Sequence, residues 1–188
     1  LGRGEVVQQH DDMDATCSQA VDCQVRHLFR RYSSTTRLTG LLDLLDGLGY
    51  LEEPAVFWSV FHQVWSSCDV TWEHGKRAIQ LLERAGHCGE FLGCEDKQFY
   101  SALPEQVRVY RGCSRPRVKG ISWTTDIAVA EDFARGHRGI QVPQPVLAKA
   151  LIYKGDILAV SSHRGEAEVL LNANRIAGLS VRPFARRA

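Results

Sequence analysis

Apolar residues recur every three or four positions through the first half of this chain, and shorter extended apolar segments follow in the second. Val21, Val25, Leu28, Phe29 and Tyr32 make one helical stripe, interrupted by Ser33-Ser34-Thr35-Thr36. Leu38, Leu41, Leu42, Leu45 and Leu48 make a second, ended by Gly47 and Gly49. Pro54 suits the first position of a third helix, with Val56, Phe57, Val60, Phe61, Val64 and Trp65 on its face. A fourth helix, capped by Asp69 or Thr71, carries Ile79, Leu82 and Ala85 up to Gly86. Gly86 to Cys94 reads as a loop, and Glu95 to Ala102 as a short helix stopped by Pro104.

Past Pro104 the period changes. Val107-Arg108-Val109-Tyr110 alternates as a strand does, and Ile121-Ser122-Trp123 is a short apolar-rich segment. Asp126 caps a helix whose face is Val129, Ala130, Phe133 and Ala134, closed by Gly136. Gly136 to Pro145 is a loop carrying His137 and Arg138. Strands follow over Val146–Tyr153, Ile157–Val160, Glu168–Leu171 and Leu179–Phe184. Helices first and strands afterwards predict an α+β fold rather than a parallel α/β alternation.

The totals narrow the function only a little. A chain of 188 residues fits one domain, or one with an appendage. Its net charge of +1 sets up no broad field to recruit nucleic acid or an anionic membrane. No apolar run approaches a membrane span, and no signal-peptide pattern is read at the start. Residues 2–14 are polar and unpatterned, and are expected to be loose. The six cysteines, Cys17, Cys23, Cys68, Cys88, Cys94 and Cys113, form no C-x-x-C pair, so no metal is expected. His87, Cys88 and Cys94 are the one imaginable ligand group; buried thiols in a reducing compartment explain them better. Arg greatly outnumbers Lys, a weak pointer to a bacterial source.

Three stretches carry candidate chemistry. In Gly165-Glu166-Ala167-Glu168-Val169-Leu170-Leu171, the apolar tail anchors a strand in a core. On an extended backbone both carboxylates face one way. Such a pair suits a cationic transition state with a proton to manage beside it. Arg111 ends an earlier strand, and its planar fork pairs two oxygens of a phosphate or carboxylate. Gly112, next along, lets a ligand approach the backbone. Ser122-Trp123-Thr124-Thr125-Asp126 offers hydroxyls to a ribose or a neighbouring carboxylate, and an indole face to a ring. Each stretch has a plain structural reading when taken singly: a solvated strand end, a surface ion pair, a capped corner.

Their order is more specific than any one of them. Arginine on an early strand, S-x-T on the next and E-x-E on a later one resembles the mono-ADP-ribosyltransferases, in particular their arginine–serine–glutamate class, shared with bacterial toxins and phage enzymes. The resemblance covers residues 107–184, and Asp126 to Ala134 matches the family's D-x-x-x-A-x-x-F-A helix. It implies an ADP-ribosyltransferase-like core, a split mixed or antiparallel β-sheet preceded by a helical layer. Residues 1–13 would be a flexible terminus. Residues 14–188 would form one catalytic domain, helical over 14–103 and NAD-binding over 104–188.

The resemblance also implies roles. NAD would be the substrate, without a metal. Arg111, with Gly112 beside it, would hold the NAD phosphates, and Ser122 would brace the catalytic Glu168. Thr124 would support the site, Glu166 would belong to the acceptor-recognition loop over Ser161–Gly165, and Phe133 would back the nicotinamide pocket. Arg138 lies where a phosphate–nicotinamide loop would run. Trp123 departs from the family's commonest S-T-S form, which leaves its pocket role open. The implied activity is transfer of ADP-ribose to a macromolecule, with protein arginine favoured, in the cytoplasm of its own or a target cell. NAD hydrolysis, a nucleic-acid or small-molecule acceptor, and a non-catalytic NAD-binding module remain alternatives. A Rossmann reading fails, because no G-x-G-x-x-G or βαβ rhythm is present.

Overall fold

The computed structural model describes residues 19, 21–47, 50–136 and 140–185. The tail expected over 1–13, Leu48 and Gly49 of the second stripe, and His137 and Arg138 lie outside these residues. The chain divides into two compact units, Leu1–Val70 and Thr71–Ala188.

The first unit is helical. Its helices are α1 (residues 21–31), α2 (Arg37–Gly47) and α3 (Pro54–Trp65). Leu38, Leu41, Leu42 and Leu45 of α2 are all buried, as their spacing predicts. Pro54 opens α3, where its missing N–H costs nothing. The buried face of α3 differs by one residue from the expected one: Trp58 is inside and Val56 is only half-buried. The larger ring wins the interior and meets Phe57 and Phe61 edge-on, at 5.2 and 5.5 Å between centroids. Arg37 holds the turn between α1 and α2. It donates to the carbonyls of Tyr32 and Ser67 and lies 4.2 Å over the Phe29 ring.

The second unit contains the sheet. It opens with α4 (Gly75–Ala85) and α5 (Cys94–Ala102). Neither Asp69 nor Thr71 caps α4; the flanking residue is His74, and its side chain makes no capping bond. Six strands follow: β1 (Gln106–Ser114), β2 (Ser122–Thr124), β3 (Pro145–Tyr153), β4 (Ile157–Ser161), β5 (Glu168–Leu171) and β6 (Ser180–Pro183). One further helix, α6 (Ile127–Arg135), lies between β2 and β3 in sequence. The strands form one sheet in the order β4-β5-β2-β1-β3-β6, and every recorded pairing is antiparallel. The α+β class therefore holds.

Register assigns the faces, because residues directly opposite in an antiparallel pair point the same way. One row crosses the whole sheet: Ser161, Glu168, Thr124, Tyr110, Lys149 and Ser180. The other face takes Val107, Val109, Ala148, Ala150, Ile152, Trp123 and Val169, all buried. Helix α6 covers part of the first face, packing across β1 where Gly112 leaves room. Asp126 caps α6 as expected, accepting from the Ala128 N–H at 2.8 Å, and Gly136 closes it in the left-handed region. Among the described residues no helix is long and apolar enough to cross a membrane.

Candidate active site

The three stretches singled out by sequence fall on three adjacent strands. Arg111 is on β1, Ser122 to Thr124 make up β2, and Glu168 begins β5, with β2 in the middle. Glu168 pairs directly with Thr124, and Ser122 with Leu170 two pairs further on. Ser122, Thr124 and Glu168 thus share a face, with Ser122 on the diagonal from Glu168. Glu168 and Ser122 are half-buried, whereas the Thr124 side chain is inside.

Thr124 ties this arrangement together. Its hydroxyl donates to the Glu166 carbonyl at 2.7 Å and accepts from the Asp126 N–H at 3.0 Å. Beside it, the Thr125 N–H donates to the Ala167 carbonyl at 3.1 Å. The loop before β5 is therefore fastened to the corner between β2 and α6.

Glu166 and Glu168 are not related by simple strand alternation, contrary to expectation. Glu166 has helical backbone angles (φ −80, ψ −11), and Ala167 takes a positive φ of 44. Extended geometry begins only at Glu168. A non-glycine residue in the left-handed region costs about 1–2 kcal/mol, and the bonds from the Thr124 hydroxyl and the Thr125 N–H to the carbonyls of Glu166 and Ala167 hold it there. The loop before it is a tight turn at His163–Gly165, with Arg164 also at positive φ, 64. Its entry is anchored by Asp96 of α5. That carboxylate accepts from the Ser162 N–H at 2.6 Å and the Ser162 hydroxyl at 2.7 Å.

Arg111 alternates onto the opposite face from Tyr110, and so from Glu168. The recorded β1–β2 pairing is a single pair, Tyr110 with Thr124. Beyond it the guanidinium bonds to the β1–β2 connection: Nε donates to the Arg117 carbonyl at 3.1 Å and Nη1 to the Ser122 carbonyl. Burial lowers the Arg111 pKa, while Cys113 and the Glu168 carboxylate act in the other direction. Burial in turn raises the Cys113 thiol, against the pull of Arg111.

Several expected ligand contacts have another use. Trp123 is a core residue, 2% exposed, and donates to the Gly120 carbonyl at 2.9 Å, so its ring has no open face. Gly112 makes room for α6 and not for a ligand: an added Cβ would overlap the Ala130 carbonyl oxygen and lie 2.7 Å from the Ala134 nitrogen. Phe133 is half-buried on α6, and Arg138 lies outside the described residues.

Sequence reasoning missed three participants. Gly120 lies flat against the Arg111 guanidinium, where a Cβ would come within 2.6 Å of Cζ. Cys113 bonds that same guanidinium. Asp96 is distant in sequence from the loop it anchors, and no local pattern marks it. Among the described residues no group of three or more His, Cys, Asp or Glu side chains converges as a metal site would. His87 instead accepts from the Gly89 N–H through Nδ1 and pairs through Nε2 with the Tyr100 hydroxyl. No protein-family model matches the chain, and no curated protein or solved structure matches it either.

Proposed function

We propose that this chain is an NAD-dependent mono-ADP-ribosyltransferase with an ADP-ribosyltransferase-like sheet, passing ADP-ribose to a macromolecular acceptor and releasing nicotinamide. The observation that carries the reading is that Arg111, Ser122–Thr124 and Glu168 lie on three neighbouring strands, although about sixty residues separate the first from the last in sequence. The likeness of motif order would hold in any fold; adjacency of the strands is the extra requirement that shared chemistry imposes.

NAD enters as substrate. The bond between the nicotinamide nitrogen and the ribose anomeric carbon breaks, the electron pair leaves with nicotinamide, and the sugar gains oxocarbenium character. The Glu168 carboxylate, fixed at the start of β5, stabilises that charge and bonds the ribose hydroxyl. Ser122, diagonal to it on the same face, orients the carboxylate. Arg111, held by the Arg117 and Ser122 carbonyls and by Cys113, would give its N–H groups to the phosphates in place of those carbonyls. Nicotinamide leaves neutral, so no general acid is needed. The acceptor nitrogen then bonds the anomeric carbon and gives its proton to Glu166.

Purified protein is incubated with NAD labelled in the adenylate half and with a bacterial lysate, and nicotinamide release and label transfer are both measured. Glu168→Gln is expected to lose at least a hundredfold in both, in line with removal of one preorganised charge. Full transfer by that variant would sink the assigned role. Release without transfer points instead to hydrolysis, and Glu166→Ala then separates the two by cutting transfer more than release.

A further inference from the structure

We propose that the uncovered face of β1, β3 and β6 is a binding surface for single-stranded nucleic acid. Among the described residues, helix α6 covers one end of this face, at Gly112 and its partner Leu147. The remainder holds a groove of about 310 Å³ walled by Arg108 and Tyr110 of β1, Leu147 and Lys149 of β3, and Ser180 and Arg182 of β6. Ile127 closes it at the start of α6 and is 42% exposed. Among the described residues three cations line this space and no carboxylate does, in a chain whose net charge is only +1. The positive charge is therefore local and aimed at one face.

The surface continues beyond the groove. Lys149, Leu151 and Tyr153 follow one another on the same face of β3, about 7 Å apart along the strand. Leu151 is 50% exposed and Tyr153 is 63% exposed, which is unusual for a sheet face with an apolar interior available behind it. Register sets Arg108 beside Leu151 and Gln106 beside Tyr153. Aromatic and apolar side chains alternating with arginine and lysine on an open sheet are what unstacked bases and their phosphates require: rings to stack on and cations along the backbone. A duplex keeps its bases stacked inside and makes no use of the exposed rings. An acidic peptide would use the cations and not the rings. A lone mononucleotide would fill the groove and leave Leu151 and Tyr153 idle.

This surface does not depend on the transfer chemistry, and it is tested without NAD. A fluorescein-labelled oligouridylate of about twelve nucleotides, within the site sizes of sheet-based binders, is titrated with the full chain and followed by anisotropy. With three phosphate contacts, the affinity should fall about twentyfold between roughly 50 and 200 mM salt. Arg108→Ser, Lys149→Ser and Arg182→Ser combined should weaken binding at least tenfold. All three positions are exposed, so circular dichroism should be unchanged. Tyr153→Leu keeps apolar area while losing the ring, and should cost about fivefold or more with the salt slope intact. The inference is overturned by absent binding at low salt, by equal affinity for a duplex or for polyglutamate, by full competition from a mononucleotide at the same phosphate concentration, or by variants that bind as the wild type does.

Discussion

Replacing Gly112 by alanine tests the central packing contact of the sheet. The new Cβ would sit 2.8 Å from the Ala130 carbonyl carbon and 2.7 Å from the Ala134 nitrogen, and closer still to the Ala130 oxygen. Optimal separation is about 3.5–4.0 Å, so α6 must withdraw by about 2 Å along the turn that faces β1. The obstacle is helix backbone on one side and strand backbone on the other. No side chain can rotate away. Ala130 and Ala134 are both fully buried, so withdrawal also opens voids around them. Overpacking in a close-packed interior costs about 1–3 kcal/mol, and a clash confined to backbone belongs at or above the upper end. We expect about 3 kcal/mol, a large share of the roughly 5–15 kcal/mol that holds a domain together. Gly155→Ala serves as the control, because a Cβ there meets nothing within 4 Å. Urea unfolding followed by tryptophan fluorescence measures both. Gly112→Ala within about 0.5 kcal/mol of the wild type would refute the reasoning. So would equal losses in the two variants.

Gly120→Ala places a methyl group where the Arg111 guanidinium lies; it should cost about 2 kcal/mol in urea unfolding and, on the transfer reading, reduce nicotinamide release as far as Arg111→Ala does. Burial pushes the Cys88 thiol up to about 11 from an ordinary 9.0. The folded state holds that proton more tightly, so stability is fully present below about pH 9 and is lost as pH rises through 11, by on the order of 2–3 kcal/mol. Tyr100 and Cys113 are shifted the same way, so the comparison of wild type with Cys88→Ala isolates the Cys88 share: the variant should lose less between pH 8.5 and 11. Asp96→Ala removes the acceptor for both Ser162 donors; amide exchange over 162–166 should accelerate at least tenfold while that of β1 is unchanged.

Much of the fold was legible because local pattern and tertiary demand agreed. The Val169–Leu171 run is buried and β5 spans Glu168–Leu171 as read, since a strand covered on both faces needs an unbroken apolar run. Pro54 and Asp126 marked helix starts for reasons of backbone chemistry that need no tertiary help. Where the reading failed, a partner distant in sequence decided. The β1 strand runs on through Gly-Cys-Ser to Ser114, where no alternation shows, because β3 pairs with it along its whole length. Trp123 offered a ring to a ligand only so long as nothing was known to bury it. Gly112 beside an arginine suggested a ligand, yet its space goes to a helix whose position the sequence does not state. The E-x-E spacing implied two parallel carboxylates, and one left-handed residue, Ala167, removed that relation.

The separation of Arg111 from Glu168 by strand alternation constrains where any shared substrate could lie. A ligand resting on either sheet face would meet one of the two and not the other. The single bridged pair between β1 and β2 is the exception to a continuous sheet, and Arg111 occupies the region just past it by bonding the connection's own carbonyls. Its burial means that the charge is already desolvated before any phosphate arrives. A phosphate replacing those carbonyls would therefore gain a charge-assisted pair without a second dehydration of the guanidinium. On the transfer reading NAD threads this parting between β1 and β2, with its phosphates toward Arg111 and its ribose passing to the Glu168 face. The Arg115–Ser122 connection must then loosen when NAD binds. Amide exchange over that segment should rise on binding, and NAD that left it unchanged would place the phosphates elsewhere.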